Sequence, residues 1–76
     1  VDQDYKKAAE YYKKAADRRE AQAQINLGSL YENGQGVDKD YKKAAEYYQE
    51  ASLQGEAPAQ LILNILKKKC KFEYDQ

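Results

Sequence analysis

The sequence contains no histidine, no threonine, no methionine and no tryptophan, has one cysteine and one proline, and carries no surplus of charge of either sign. Each shortage closes a class of function. Nucleophilic catalysis needs a histidine or a comparably tuned base beside the nucleophile. Here the only serines are Ser29 and Ser52, and Cys70 has no evident catalytic partner. No enzyme activity is expected. Metal sites need clustered cysteine, histidine or carboxylate ligands, and the Asp2/Asp4 and Asp38/Asp40 pairs lack the further oxygens of a calcium loop. Neither a metal nor another cofactor is expected. A lone cysteine closes no intramolecular disulfide, so the chain is not a disulfide-stapled secreted module.

Thirteen basic residues balance thirteen acidic ones, leaving no overall field that would draw nucleic acid or an anionic membrane. The longest apolar stretch, LILNIL at 61–66, is too short to span a bilayer, and no signal-peptide layout opens the chain. Compartment is left open by these features. With no methionine and a start at Val1, the sequence reads as an excerpt from a longer protein. A chain of 76 residues makes one domain at most, and folding at this size hides only roughly 60% of the extended chain's surface.

What the sequence does have is a phrase used twice. VDQDYKKAAEYY at 1–12 returns as VDKDYKKAAEYY at 37–48, and aligning 1–30 with 37–66 gives eighteen identities, twelve of them in the first sixteen positions. A fixed period of 36 residues marks a repeat of two short helices and two turns. The pattern predicts helices at about 4–18, 21–33, 40–53 and 57–72, with breaks at 34–39 and 54–56. Gly34 and Gly36 allow tight bends, Asp38 or Asp40 supplies a cap, Gly55 closes a helix, and Pro58 falls in a first turn where a missing N–H does no harm. The GQG loop lacks the lysine and the preceding strand of a phosphate cradle.

The two kinds of helix differ. At 100° per residue, 40–53 gathers Tyr41, Ala44, Ala45, Tyr47, Tyr48, Ala51 and Ser52 on one arc and leaves Lys42, Lys43, Glu46, Gln49 and Glu50 opposite. Helix 21–33 has two apolar flanks, Ala23/Leu27/Leu30/Tyr31 and Ala21/Ile25/Gly28, separated by a polar stripe of Gln22, Asn26, Ser29 and Asn33. Two buried flanks require two neighbours. Gly28 inside a helix costs about 1 kcal/mol against alanine, which suggests a close backbone crossing in return. The fold expected is all-α: about four antiparallel helices in an α-α superhelix, with roughly two repeats.

The segment Ala23-Gln24-Ile25-Asn26-Leu27-Gly28, with Tyr31, Asn33-Gly34, Gly36-Val37, Asp40-Tyr41, Ala44, Tyr47-Tyr48, Ala51 and Gly55, resembles the Sel-1-like repeat family of tetratricopeptide-like solenoids. By that resemblance the chain divides into a half-repeat at 1–19, a complete repeat at 20–55 and a degenerate terminal half-repeat at 56–76. Tyr47 stands where the family usually has tryptophan. Arg19 stands where Gly55 stands one period later, so the first turn is expected to be built differently. Asn64, Lys67, Cys70 and Phe72 replace a glycine, a tyrosine and two loop glycines, which makes 57–72 one longer closing helix. The resemblance implies a role in assembling complexes, from membrane-protein quality control and cell-wall regulation to bacterial signalling or host contact.

The expected function is therefore a non-catalytic scaffold or adaptor that binds a protein or peptide on its inner-helix surface. The stripe Gln22, Asn26, Ser29 and Asn33 offers hydrogen bonds to an extended backbone, and their counterparts one period on include Ile62 and Ile65 as apolar anchors and Lys69. The bland alternative is a merely wet face. A second reading is structural: apolar residues at 61, 62, 63, 65 and 66 circle much of the last helix, calling for further repeats of a longer chain, a second copy, or the tail KFEYDQ folded back with Phe72 and Tyr74. The run KKKCK could attract RNA or phospholipid, but zero net charge, Glu73 and Asp75 count against it. Neither nucleic acid nor membrane insertion is expected.

Overall fold

A computed structural model describes the backbone of residues 2–74 and the side chains of residues 4–69. It contains four helices, α1 Asp2–Asp17, α2 Ala21–Asn33, α3 Tyr41–Leu53 and α4 Ala57–Tyr74, and no strand among the described residues. Each helix packs on the one that follows it in sequence, and the whole forms a slab of 33 × 29 × 15 Å.

The breaks fall where the local chemistry puts them. In the second turn, Gln54 and Gly55 donate to the carbonyls of Ala51 and Ser52, and Glu56 donates to Ala51. The first turn repeats these bonds through Arg18, Arg19 and Glu20 onto Ala15 and Ala16, so it is not built differently. Arg19 achieves this by adopting φ 65°, a left-handed conformation that costs a side-chain-bearing residue about 1–2 kcal/mol. Between α2 and α3, the N–H of Gln35 donates to Leu30 and that of Asp40 to Tyr31. Of the two aspartates available, Asp40 is the cap: its carboxylate accepts the Lys43 N–H at 3.1 Å.

Gly36 shows why that loop carries a second glycine. A Cβ there would lie 2.5 Å from the carbonyl of Tyr5, so the loop lies directly on the α1 backbone and ties the second hairpin to the first. Val37 follows it into the core.

Two apolar clusters lie on either side of α2. Ala9 and Ala16 of α1 meet Leu27 and Leu30 in the first, and Ala44 and Tyr48 of α3 meet Leu63 and Leu66 of α4 in the second. Tyr31 packs against both clusters, and Ile25 reaches the second. The doubly flanked reading of α2 holds: it lies between α1 and α3. Burial on α3 follows the expected arc, with Ala44, Tyr48 and Ala51 buried and Lys42, Lys43, Glu46, Gln49 and Glu50 exposed.

Gly28 does make a close contact, though not with backbone. A Cβ at Gly28 would stand 2.7 Å from Cε1 of Tyr48, so the missing side chain makes room for a ring. Residues 71–74 continue α4 instead of turning back, while the side chains of Cys70, Lys71, Phe72 and Tyr74 lie outside the described residues.

Candidate functional site

The polar stripe of α2 lies along one side of a helix already held on two others. Its members bond to each other at one-turn spacing: Gln22 donates to Asn26 at 3.4 Å, and Asn33 donates to Ser29 at 3.5 Å. Both bonds are long for N–H···O geometry, which leaves the amides much of their capacity for another acceptor or donor. Gln22 and Asn33 are exposed, and Asn26 and Ser29 are half-buried.

On α4 the candidate residues divide. Ile62 is half-buried and packs against the Ala44/Tyr48 cluster, so it belongs to the floor and not to the open surface. Ile65 is 49% exposed. Lys69 crosses to α2 and donates to Glu32 at 2.8 Å, bringing the last part of α4 against the end of the α2 stripe. The candidates form an open face and not a pocket: the clefts around Gln24 and around Gly36 are lined by none of them.

Beneath this face is a joint that sequence reasoning missed. Glu32 accepts from the Tyr48 hydroxyl through Oε1 at 2.8 Å and from Lys69 through Oε2 at 2.8 Å, so one carboxylate joins α2, α3 and α4. Its side chain is only 13% exposed, where a charged hydrogen bond is worth more than at the surface. Burial first, and then the hydrogen bond to Glu32 and its charge, push the Tyr48 hydroxyl well above the ordinary tyrosine value of 10.0, with Ser29 opposing weakly. Nothing in the spacing of Glu32 separates it from a solvated glutamate. Its partners are 16 and 37 residues away.

Gln24 is the second unforeseen residue. It is 2% exposed, accepts from Gln54 at 2.9 Å and donates to Glu50 at 3.5 Å, closing the far end of the α2/α3 contact. One signal was available, since Gln24 recurs in register as Gln60. There it is exposed, donating to Asn64 on its own helix.

An open cleft of ≈ 580 Å³ runs between the ends of α1 and α3, with Asp17, Arg19 and Glu50 on its walls. It brings together no nucleophile and base. Among the described residues no group of three potential metal ligands occurs, and no helix is long and apolar enough to cross a membrane.

A family model described as Sel1 repeat matches residues 1–19 and 21–56. No curated protein and no solved structure matches the chain.

Proposed function

The chain belongs to the Sel1 repeat family, whose repeats generally mediate contacts between proteins, and from that premise we propose that it is a non-catalytic adaptor holding a protein or peptide against the α2/α4 face. The observation that carries this reading is the stripe Gln22, Asn26, Ser29 and Asn33, which lies on a helix packed along both flanks and whose amides are bonded only at 3.4 and 3.5 Å. A bound segment needs such groups. They supply donors and acceptors to its backbone while Ile65 covers an apolar side chain and Lys69, held by Glu32, sets the charge at one end. Because Glu32 and Tyr48 lock the helices beneath, little order is lost on binding.

The test compares partner binding by the native chain with that by Asn26→Ala, Ser29→Ala and Ile65→Asp combined. These sites are outside the buried core, so the helical circular dichroism should be unchanged, while affinity falls by about tenfold or more, equivalent to about 1.4 kcal/mol. Equal affinity for both proteins would remove this face from the site.

A second reading has its own observation. Leu61 is 64% exposed and stands one turn from Ile65 on α4, a pair suited to contact with another subunit of a larger assembly. Light scattering over a wide concentration range separates the two, since a subunit interface built on this pair gives a mass that rises with concentration and drops back in Leu61→Asp.

A further inference from the structure

The end of α2 carries a chemistry that the fold opposes. An asparagine loses its side-chain amide when the backbone nitrogen of the next residue attacks Cγ, and the attack meets least hindrance where that residue is glycine, which has no side chain and the freest backbone. Of the three asparagines, Asn26 precedes Leu27 and Asn64 precedes Ile65, whereas Asn33 precedes Gly34. Asn33 is also exposed, so water reaches its side chain.

The folded geometry works against that step. Asn33 is the last residue of α2, and its side chain leans back toward the start of the helix, as helical side chains do, with Nδ2 donating to Ser29 at 3.5 Å. Cγ is thereby carried away from the nitrogen that would attack it. The Gly34 N–H, which must give up its proton, donates to the carbonyl of Leu30, and Gln35 donates to the same carbonyl at 2.9 Å. Gly34 is fixed at φ 67°, and the loop beyond it is pressed onto α1, where a Cβ on Gly36 would stand 2.5 Å from the Tyr5 carbonyl. Reaching Cγ means breaking both bonds to Leu30 and lifting this turn.

We infer that Asn33 is a deamidation site which the turn at Gly34 and Gln35 holds shut, so that its conversion records how often the end of α2 opens. In the opened turn the Gly34 nitrogen gives its proton to solvent and forms a bond to Asn33 Cγ, the Cγ–Nδ2 bond breaks, and Nδ2 takes a proton from solvent to leave as ammonia. Water then adds to one carbonyl of the cyclic imide and opens it, giving aspartate or isoaspartate without any oxidation or reduction. The new carboxylate stands at the negative end of the α2 dipole beside Glu32 and has no N–H to donate to Ser29, and isoaspartate adds a methylene to the backbone. Each change disfavours reclosing, so the record is one-way. Asn33 belongs to the stripe proposed above to hold a partner, but this inference requires no partner and stands without that reading.

The test holds the native chain at mildly alkaline pH and follows each asparagine by mass spectrometry of tryptic fragments, against the same chain unfolded in guanidinium chloride. In denaturant Asn33 should convert ahead of Asn26 and Asn64, and in the folded chain it should convert more slowly than in denaturant by about tenfold or more. Gly36→Ala sets a methyl against the Tyr5 carbonyl and loosens the turn. It should speed amide exchange at Gly34 and Gln35 and deamidation of Asn33 by the same factor, whatever it does to overall stability. Equal rates in the folded and unfolded chain, conversion of Asn26 or Asn64 ahead of Asn33 in denaturant, or faster exchange at Gly34 without faster deamidation would each overturn the proposal.

Discussion

Gly28 sits under the ring of Tyr48, and this one contact sets two opposing effects against each other. Alanine would gain about 1 kcal/mol of helix propensity, whereas a methyl 2.7 Å from a buried ring forces a repacking that costs about 1–3 kcal/mol. Tyr48 is 1% exposed and its hydroxyl is tied to Glu32, so it has little room to yield. Gly28→Ala should therefore lower stability to urea, with an unchanged m-value; a more stable protein would show that the ring moves aside. Arg19 presents the opposite case. Its φ of 65° is strained for any side chain, and it is exposed, so Arg19→Gly should raise stability by about 1 kcal/mol in the same measurement. No gain would mean that the arginine side chain earns back its strain, for instance on Glu20, which lies 3.5 Å from its neighbour Arg18.

At the scale of elements, the helices differ in how they begin. α3 opens on Asp40, whose side chain satisfies the Lys43 N–H, whereas α2 opens on Glu20 with no side-chain cap. Asp40→Ala should cost about 1 kcal/mol and speed amide exchange in the first turn of α3 more than elsewhere. Uniform acceleration across all four helices would show instead that the cap acts on global unfolding alone. α2 tolerates its bare start because it is gripped along its length by Leu27 and Leu30 on one side and by Ile25 and Gly28 on the other. Those flanks were legible in the sequence, as were all four helices to within a few residues at their ends. The first turn was misjudged because strain was weighed without the reward of repeating the Ala15 and Ala16 carbonyl bonds.

For the whole molecule, alkaline pH tests the joint around Glu32. The folded-state values of Tyr48 and, by burial chiefly, of Tyr47 are raised, so the unfolded chain ionises first. Stability from these groups is intact below the ordinary value of 10.0 and drains away as pH climbs above it. Thermal unfolding followed from pH 8 upward should show a fall beginning near pH 10 that is shallower in Tyr48→Phe. Identical slopes in both proteins would place the loss elsewhere.

By itself the sequence determined the helices, their breaks, the two-sided role of α2 and the stacking of like hairpins, because periodicity, glycine placement and a 36-residue period act locally or repeat. The candidate stripe was legible for the same reason, as residues one turn apart on one helix. Only the tertiary structure decided that Gln24 is buried, that Ile62 belongs to the floor while Ile65 remains open, and that Glu32 fastens three helices. Those outcomes depend on how closely and at what rotation neighbouring helices meet, and no spacing along one strand of sequence encodes that approach.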